Sequence, residues 1–256
     1  VKELLARAVK RALGSPKLTR EEFAYQVLPA FLLDIIDRYL RVRVSGARFI
    51  PEKGPYIIVA NHSGYMGFDA LMIAHQIAKM KKRVPKIIAH KLWFLSPEIS
   101  VHAHKLHLVP ATYENGLHII NTGDPLILFP EGEEGNFKPT RYRYRLRQFR
   151  RGFVRLALQT GVPIIPAVVI GAEETHITLS QIRWAKELFG IIIPVPLNVI
   201  PLPAKWKIKF LKPIQLKQDP QAAADIRKVS RLSHHIRLDL QREINAQLKR
   251  RKKIFL

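Results

Sequence analysis

Two residues in this 256-residue chain have the types and spacing for proton transfer: His62 and Asp69, within Asn61-His62-Ser63-Gly64-Tyr65-Met66-Gly67-Phe68-Asp69. An imidazole with an unperturbed pKa of about 6.5 is largely neutral at cellular pH and can accept a proton. A carboxylate bonded to its other ring nitrogen fixes the tautomer and stabilises the imidazolium that forms. A base of this kind supplies roughly 10²–10⁴-fold in rate. The spacing sets a condition, because seven positions along a continuous helix span about 10.5 Å, too far for contact. Gly64 and Gly67 must therefore fold the loop back for a dyad to exist. Without that fold the motif is a structural histidine followed by an ordinary N-capping aspartate.

Other chemistry is narrowed by composition. The chain has no cysteine, which excludes disulfides, Cys-ligated zinc and a thiol nucleophile. It has no Gly-x-Ser-x-Gly elbow either. His102, His104 and His107 form a His-x-His-x-x-His run that matches no zinc spacing, and they read as partly exposed loop histidines. Glu131, Glu133 and Glu134 read as a Gly-flanked acidic turn in which Glu131 alone carries function, so no metal is expected. The carboxylate of Glu131 follows the apolar run Leu126-Ile127-Leu128-Phe129-Pro130 and precedes Gly132. Val109-Pro110-Ala111 lies upstream of it, and Val162-Pro163-Ile164-Ile165-Pro166 about thirty residues downstream.

The order and spacing of these pieces resemble the glycerolipid acyltransferase family, of the lysophosphatidic acid acyltransferase type. Gly54-Pro55-Tyr56-Ile57-Ile58-Val59-Ala60-Asn61-His62 resembles its first block, Phe129-Pro130-Glu131-Gly132 its third and Val162–Pro166 its fourth. The resemblance runs from about Gly46 to Pro213, where Trp206–Ile214 shares its flavour. It implies transfer of a fatty acyl group from an acyl thioester, acyl-CoA or acyl carrier protein as co-substrate, to a glycerolipid hydroxyl. The acceptor it implies is a lysophospholipid such as lysophosphatidic acid, with no cofactor and no acyl-enzyme. His62 would be the general base and Asp69 its orienting partner. Substrate contacts would fall on Asn61, Ser63, Gly64, Glu131 and Gly132, with the tetrahedral oxyanion held by backbone N–H groups of the Ser63–Gly67 turn. Two departures stand out. Six residues rather than four separate His62 from Asp69, and the second block, Leu108-Val109-Pro110-Ala111-Thr112-Tyr113-Glu114-Asn115, lacks the Arg that contacts an acceptor phosphate. Either the acceptor is an uncharged glycerolipid, or another cation stands in.

Cations are plentiful. Lys138, Arg141, Arg143, Arg145, Arg147, Arg150, Arg151 and Arg155 occur with no acid among them, and Arg141–Arg145 alternates basic and aromatic residues. If extended, the alternation puts the arginines on one side. Lys138, Arg141 and Arg151 are the candidates for contacting substrate, through coenzyme A phosphates or an acidic carrier protein. The other reading is a solvated, membrane-facing basic surface without residue-specific work. Lys81-Lys82-Arg83 and Lys86 share that ambiguity.

The elements that must position these residues read as α/β: a mixed, mostly parallel central sheet flanked by helices, with N-terminal amphipathic helices and a long C-terminal helix. Val42–Val44, Tyr56–Ala60, Leu126–Phe129, Val162–Ile170 and Trp206–Leu211 read as strands. Asp69–Met80 reads as a helix with Asp69 as N-cap, and Phe153–Thr160 as one closed by Gly161. Thr19-Arg20-Glu21-Glu22 is a capping box for a helix towards Leu40, kinked at Pro29. Asp219-Pro220 starts a long helix ending in the basic Lys249–Lys253. The whole reads as one acyltransferase domain over 1–256: a helical docking segment 1–42, a catalytic core 43–215 and a basic helix 219–253.

Val1–Leu13 spaces its apolar residues helically between basic ones, as an interfacial anchor or as a packed helix with a solvated basic face. Its scattered charges do not read as a secretory signal. A membrane span needs about 20 apolar residues. The nearest stretch, Leu188–Ala204, is uncharged but broken by Pro194, Pro196, Pro201 and Pro203. It reads as core strands and turns or as a surface that dips into lipid. With 43 Lys+Arg against 20 Asp+Glu the net charge is +23, which calls for a polyanionic partner. No zinc finger, RNA-recognition signature or clear helix-turn-helix is present, so nucleic acid is not expected. The charge fits an anionic membrane surface, with peripheral association on the cytoplasmic face, and an acidic acyl donor.

Overall fold

Tyr56–Ala60 is apolar throughout, as a strand covered on both faces must be. In the computed structural model, which describes residues 19–63, 67–251 and 253–255, this run forms the middle of a seven-stranded sheet. The strands are β1 Arg43–Ser45, β2 Ile57–Ala60, β3 Lys86–Ala89, β4 Leu108–Pro110, β5 Leu126–Leu128, β6 Ile164–Ile170 and, after a separate ribbon, β9 Lys207–Phe210. That ribbon pairs β7 Thr178–Ile182 with β8 Ile193–Pro196, antiparallel. The main sheet is ordered β1-β9-β6-β2-β5-β3-β4, and within it only the β6–β9 pairing is antiparallel. In β2, Ile57 lies between Leu126 of β5 and Ile164 of β6.

Alternation along β2 divides two cores. Ile57 and Val59 join the cluster beneath α5, Gly152–Thr160, and the C-terminal helix, with Phe153, Val154, Leu240 and Ile244. Tyr56, Ile58 and Ala60 join the opposite cluster, with Met72, Ile73 and Ile77 of α2, Phe68–Lys81. Further helices, besides short turns of helix, are α1 Leu28–Tyr39, α3 Pro97–Lys105, α4 Tyr113–Asn121, α6 Pro220–Ala224 and α7 Ile226–Lys249. This is the mixed, mostly parallel, helix-flanked sheet expected.

Several local expectations are refined. The Thr19 capping box forms, with Glu22 N donating to Thr19 Oγ1 (3.1 Å) and Thr19 N to the Glu22 carboxylate (2.8 Å). The kink at Pro29 appears as a π-helical stretch, Phe23–Val27, just before α1. Proline lacks an N–H and its ring crowds the carbonyl four residues back, here within that widened turn. The single long C-terminal helix is instead two. Asp225 is extended (φ −75°, ψ 103°), and its carboxylate accepts from Arg227 N (2.8 Å) and Lys228 N (3.1 Å), starting α7 afresh. A short acidic side chain competes for backbone donors in this way. Gly161 closes α5 in the left-handed conformation expected (φ 72°). Val1–Leu13 and Gly64 lie outside the described residues.

Candidate active site

In open α/β sheets the ends of the parallel strands form the crevice where ligands bind. The carboxyl ends of β2 and β5 are adjacent here, and His62 and Glu131 emerge from them. Asn61 carries the ladder one residue further than the backbone does. Its Oδ1 accepts from Val169 N (2.8 Å) and its Nδ2 donates to Val169 O (2.9 Å), in full burial. Expected to contact substrate, Asn61 instead commits its amide to joining β2 and β6, which fixes the chain at the point where His62 leaves the sheet.

His62 is held from three directions. Its N–H donates to Glu131 Oε1 (3.0 Å), its Nδ1 lies 2.8 Å from Asp69 Oδ2, and its ring stacks on Phe129 at 4.2 Å between centroids. Asp69 is fully buried and also accepts from Ser63 N (2.7 Å) and Ala70 N (2.8 Å). An ionised carboxylate only accepts, so Nδ1 carries the proton and Nε2 is left with the lone pair. With the His62 side chain 15% exposed, that lone pair can meet an incoming group. The loop condition set by the spacing is met through Gly67, whose left-handed conformation (φ 75°, ψ 21°) occupies the N-cap position. Asp69 is therefore not the N-cap. It lies in the first turn of α2, where the helix dipole favours its charge.

Glu131 is 2% exposed, and its second oxygen accepts from Arg147 N (2.7 Å). Both oxygens thus serve main-chain donors, which makes it the brace behind His62. Gly135 packs so closely that a Cβ there would lie 2.4 Å from Glu131 Cβ. Gly132 adopts φ 59°, ψ −150°, a region essentially closed to other residues. A Cβ on Gly132 would lie 3.3 Å from the guanidinium carbon of Arg150, so the glycine is what lets that cation lie against the turn.

The basic run sorts into different roles. Lys138 is buried, with its ammonium 3.1 Å from Glu173 and 3.6 Å from Glu131, so it is a buried counter-ion rather than a substrate contact. Burial pushes the Glu173 carboxyl up to about 7, with Lys138 opposing. Arg141 is exposed and lies over Tyr142 at 4.9 Å, while Arg147 lies over the same ring at 5.1 Å. Arg151 donates to Ser230 Oγ on α7 (3.0 Å). The Arg141–Arg145 stretch is no strand, since it begins in a 3₁₀ turn and Tyr144 has φ 62°. Even so, Arg141, Arg143 and Arg145 are all exposed and Tyr144 is buried, so the alternation does sort the arginines to solvent.

Arg150 is one of the eight cations that the sequence offers as a stand-in, though not among the three singled out for substrate contact. Its side chain has no ion pair or hydrogen bond among the described residues, and it faces His90 at the end of β3. The pKa of His90 is held below the ordinary value first by burial, and also by Lys91, Arg150 and Lys186. The second block supplies no cation there: Thr112 caps α4 through Asn115 N (3.1 Å).

Ser63 is buried beside a cavity of about 20 Å³ lined also by Asn136, Lys138, Glu173 and His176, which holds a single water at most. Its N–H is spent on Asp69 and so is removed from the expected oxyanion donors, while Gly64–Met66 lie outside the described residues. His102 and His104 are on α3 rather than in a loop. They face Tyr25 and Phe94 respectively, whereas His107 faces Lys86, so the three do not converge. Among the described residues, Asp34, Asp37 and His75 are close enough to hold a metal. The ammonium of Lys79 already occupies that place, 3.2 Å from Asp34 and 2.8 Å from Asp37.

A family model described as Acyltransferase matches residues 41–170. An uncharacterized protein of Mycobacterium tuberculosis is 34% identical over 230 residues, 85% of this chain and 64% of that protein. A 1-acyl-sn-glycerol-3-phosphate acyltransferase of Limnanthes douglasii is 43% identical over 168 residues, 63% of this chain and 53% of that one. The chain thus spans less than two thirds of the length of either relative. The crystal structure of PlsC, the 1-acyl-sn-glycerophosphate acyltransferase of Thermotoga maritima, shares the fold with a TM-score of 0.58 at 19% identity, covering 98% of this chain and 89% of that one. With the family model spanning the strands that end at His62 and Glu131, the chain belongs to the glycerolipid acyltransferase family.

Proposed function

We propose that this chain transfers a fatty acyl group from an acyl thioester, acyl-CoA or acyl carrier protein, to a lysophospholipid hydroxyl, with His62 as general base. One observation carries the reading: His62 Nδ1 is 2.8 Å from a buried Asp69, which leaves Nε2 as the acceptor. Nε2 takes the hydroxyl proton as the oxygen attacks the thioester carbonyl. The tetrahedral intermediate collapses with loss of the C–S bond, and the leaving thiolate recovers the proton from the imidazolium. No acyl-enzyme forms and no cofactor takes part. The Asp69 carboxylate stabilises the transient imidazolium.

For a phosphorylated acceptor such as lysophosphatidic acid, Arg150 on Gly132 is the cation in place of the missing second-block Arg. The absence of that Arg keeps an uncharged acceptor as the second reading. The working site of the enzyme is an anionic membrane surface, held peripherally on the cytoplasmic face, and nucleic acid is no partner. No helix among the described residues is long and apolar enough to cross a membrane.

The test is radiolabelled acyl transfer, crossing both donors with lysophosphatidic acid, other lysophospholipids and diacylglycerol. His62→Ala should lower turnover by roughly 10²–10⁴-fold, and Asp69→Asn by a comparable factor through the wrong tautomer. Equal rates for wild type and His62→Ala would end the general-base assignment. Failure with every pair would end the acyl-transfer reading.

A further inference from the structure

The β7–β8 ribbon and the loop that returns from it to Ala204 lie outside the main sheet, and their exterior is apolar. Leu179, Trp184, Leu188, Leu197, Val199 and Ile200 are exposed, the last three at 64%, 76% and 79%. Such a concentration on a monomer surface marks an interaction face. Glu187 is the only acid between Ile177 and Ala204, in a chain of net charge +23.

What distinguishes this face is where its backbone polar groups go. Leu197 N donates to Ile177 O (2.7 Å), and Asn198 Oδ1 accepts from Ile177 N (2.8 Å). The Asn198 amide donates to Thr175 O (3.0 Å) and Ile200 O (2.7 Å), and Leu202 N donates to Thr175 O (2.8 Å). Pro194, Pro196, Pro201 and Pro203 carry no N–H at all. These polar groups are therefore paired within the protein while Leu197, Val199 and Ile200 project outward, an arrangement suited to hydrocarbon rather than water. Pro194 and Pro196 strip β8 of donors that a strand-adding protein partner would use.

The inner side of the ribbon is seated on the active-site turn. Ile192 N donates to Glu133 Oε2 (3.2 Å), Lys186 pairs with the same carboxylate, and Arg183 pairs with Glu134 (3.0 Å). Gln181 Nε2 donates to Phe137 O (2.8 Å), and Thr178 N to Thr140 Oγ1 (2.8 Å). Glu133 immediately follows Gly132.

We infer that this ribbon lies flat on an anionic bilayer, sinking Trp184 and Leu188 at one end and Leu197, Val199 and Ile200 at the other into the acyl-chain boundary. Docked in this way, the ribbon holds the site it is seated on beside the lipid surface, and the acceptor reaches His62 without crossing bulk water. That use of the surface rests on the acyl-transfer reading above, whereas the docking itself does not.

The test uses the full chain and vesicles of phosphatidylcholine with phosphatidylglycerol. Leu197→Glu/Ile200→Glu should lower the vesicle partition coefficient, read by flotation, by roughly tenfold or more, because two exposed apolar side chains lose their burial. Brominated lipid should quench wild-type fluorescence, and Trp184→Phe should abolish that quenching. The double variant should retain wild-type rates on a short-chain donor and acceptor that are soluble in water. Flotation unchanged by the double substitution, or a Trp184 that bromine does not reach, overturns the proposal. So does a change of mass in light scattering upon substitution, which would assign the face to a second copy. Wild type that floats but transfers no acyl group defeats the functional reading alone. Transfer between soluble substrates without flotation defeats the docking alone.

Discussion

Glu131 is a carboxylate whose two oxygens accept from main-chain donors on separate segments, His62 N at 3.0 Å just past β2 and Arg147 N at 2.7 Å in the loop before α5. Glutamine has one acceptor oxygen, and its amide would turn a donor towards the other N–H. Glu131→Gln should therefore cost about 1–3 kcal/mol for the unsatisfied buried donor. Its kcat should fall with little change in acceptor KM, since the loss falls on the placement of His62. A KM effect alone would instead make Glu131 an acceptor ligand. Arg150 separates from it in the opposite sense. If its guanidinium binds an acceptor phosphate, Arg150→Gln should raise KM for lysophosphatidic acid by roughly tenfold or more, the worth of a charged hydrogen bond, and leave monoacylglycerol unaffected. Equal losses with both acceptors would remove that role.

The hinge that brings the dyad together belongs to an element, the entry to α2. Gly67 has φ 75°, and among the described residues a Cβ added there would meet nothing within 4 Å, so the cost of a side chain is backbone strain. Left-handed backbone costs an L-residue about 1–2 kcal/mol, and asparagine tolerates it best. Gly67→Ala should accordingly lower melting temperature and turnover together, with Gly67→Asn recovering most of both. Ala and Asn variants indistinguishable from each other would show that the turn does not depend on this conformation. Elements of this kind differ in how far sequence reveals them. β2 is legible because Tyr56–Ala60 has no polar position, and Gly161 because a glycine after a helical period marks a helix end. The Asp69 contact is legible only as a condition, since closure of a loop depends on backbone angles that residue types merely permit. Asn61 looks like a ligand because a buried amide and an exposed one read alike in sequence. The break at Asp225 is hidden because the helical spacing of apolar residues, Ala222, Ala223, Ile226 and Val229, runs straight through it, and Arg150 is not set apart from the other cations because its partner surface is the bare backbone of a glycine.

Across the whole molecule, the site is tied to the C-terminal end of the chain through buried charge. Arg251 pairs with Glu174 at 2.7 Å, and Glu174 accepts from the Tyr144 hydroxyl (2.5 Å). Tyr144 N donates to Glu173 (2.9 Å), which shares Lys138 with Glu131. Arg251 satisfies Glu174 fully, whereas Glu173 and Glu131 must divide a single ammonium between them. Burial pushes the Glu173 carboxyl, its side chain 7% exposed, up to about 7, and the neighbouring Glu131 charge adds to that against the opposing pull of Lys138. A carboxyl with a raised folded pKa holds a proton that the unfolded chain has already lost. Its contribution to stability therefore falls as pH rises from about 4.5 to about 7, and is constant above that. His75, His90, His107 and His176 act oppositely, because burial lowers each of them. The unfolded chain binds their protons first, so stability falls as pH drops below about 6.5. The wild-type profile is a composite of these opposed slopes, and Glu173→Gln isolates one of them. A neutral glutamine can still accept from Tyr144 N, so the stability of the variant relative to wild type should climb between about pH 5 and about pH 7, at up to about 1.4 kcal/mol per unit. Urea unfolding of both proteins across that range reads the difference directly. A difference independent of pH would mean that Lys138 keeps Glu173 ionised throughout, so that Glu173 competes with Glu131 for the ammonium behind His62 at every pH.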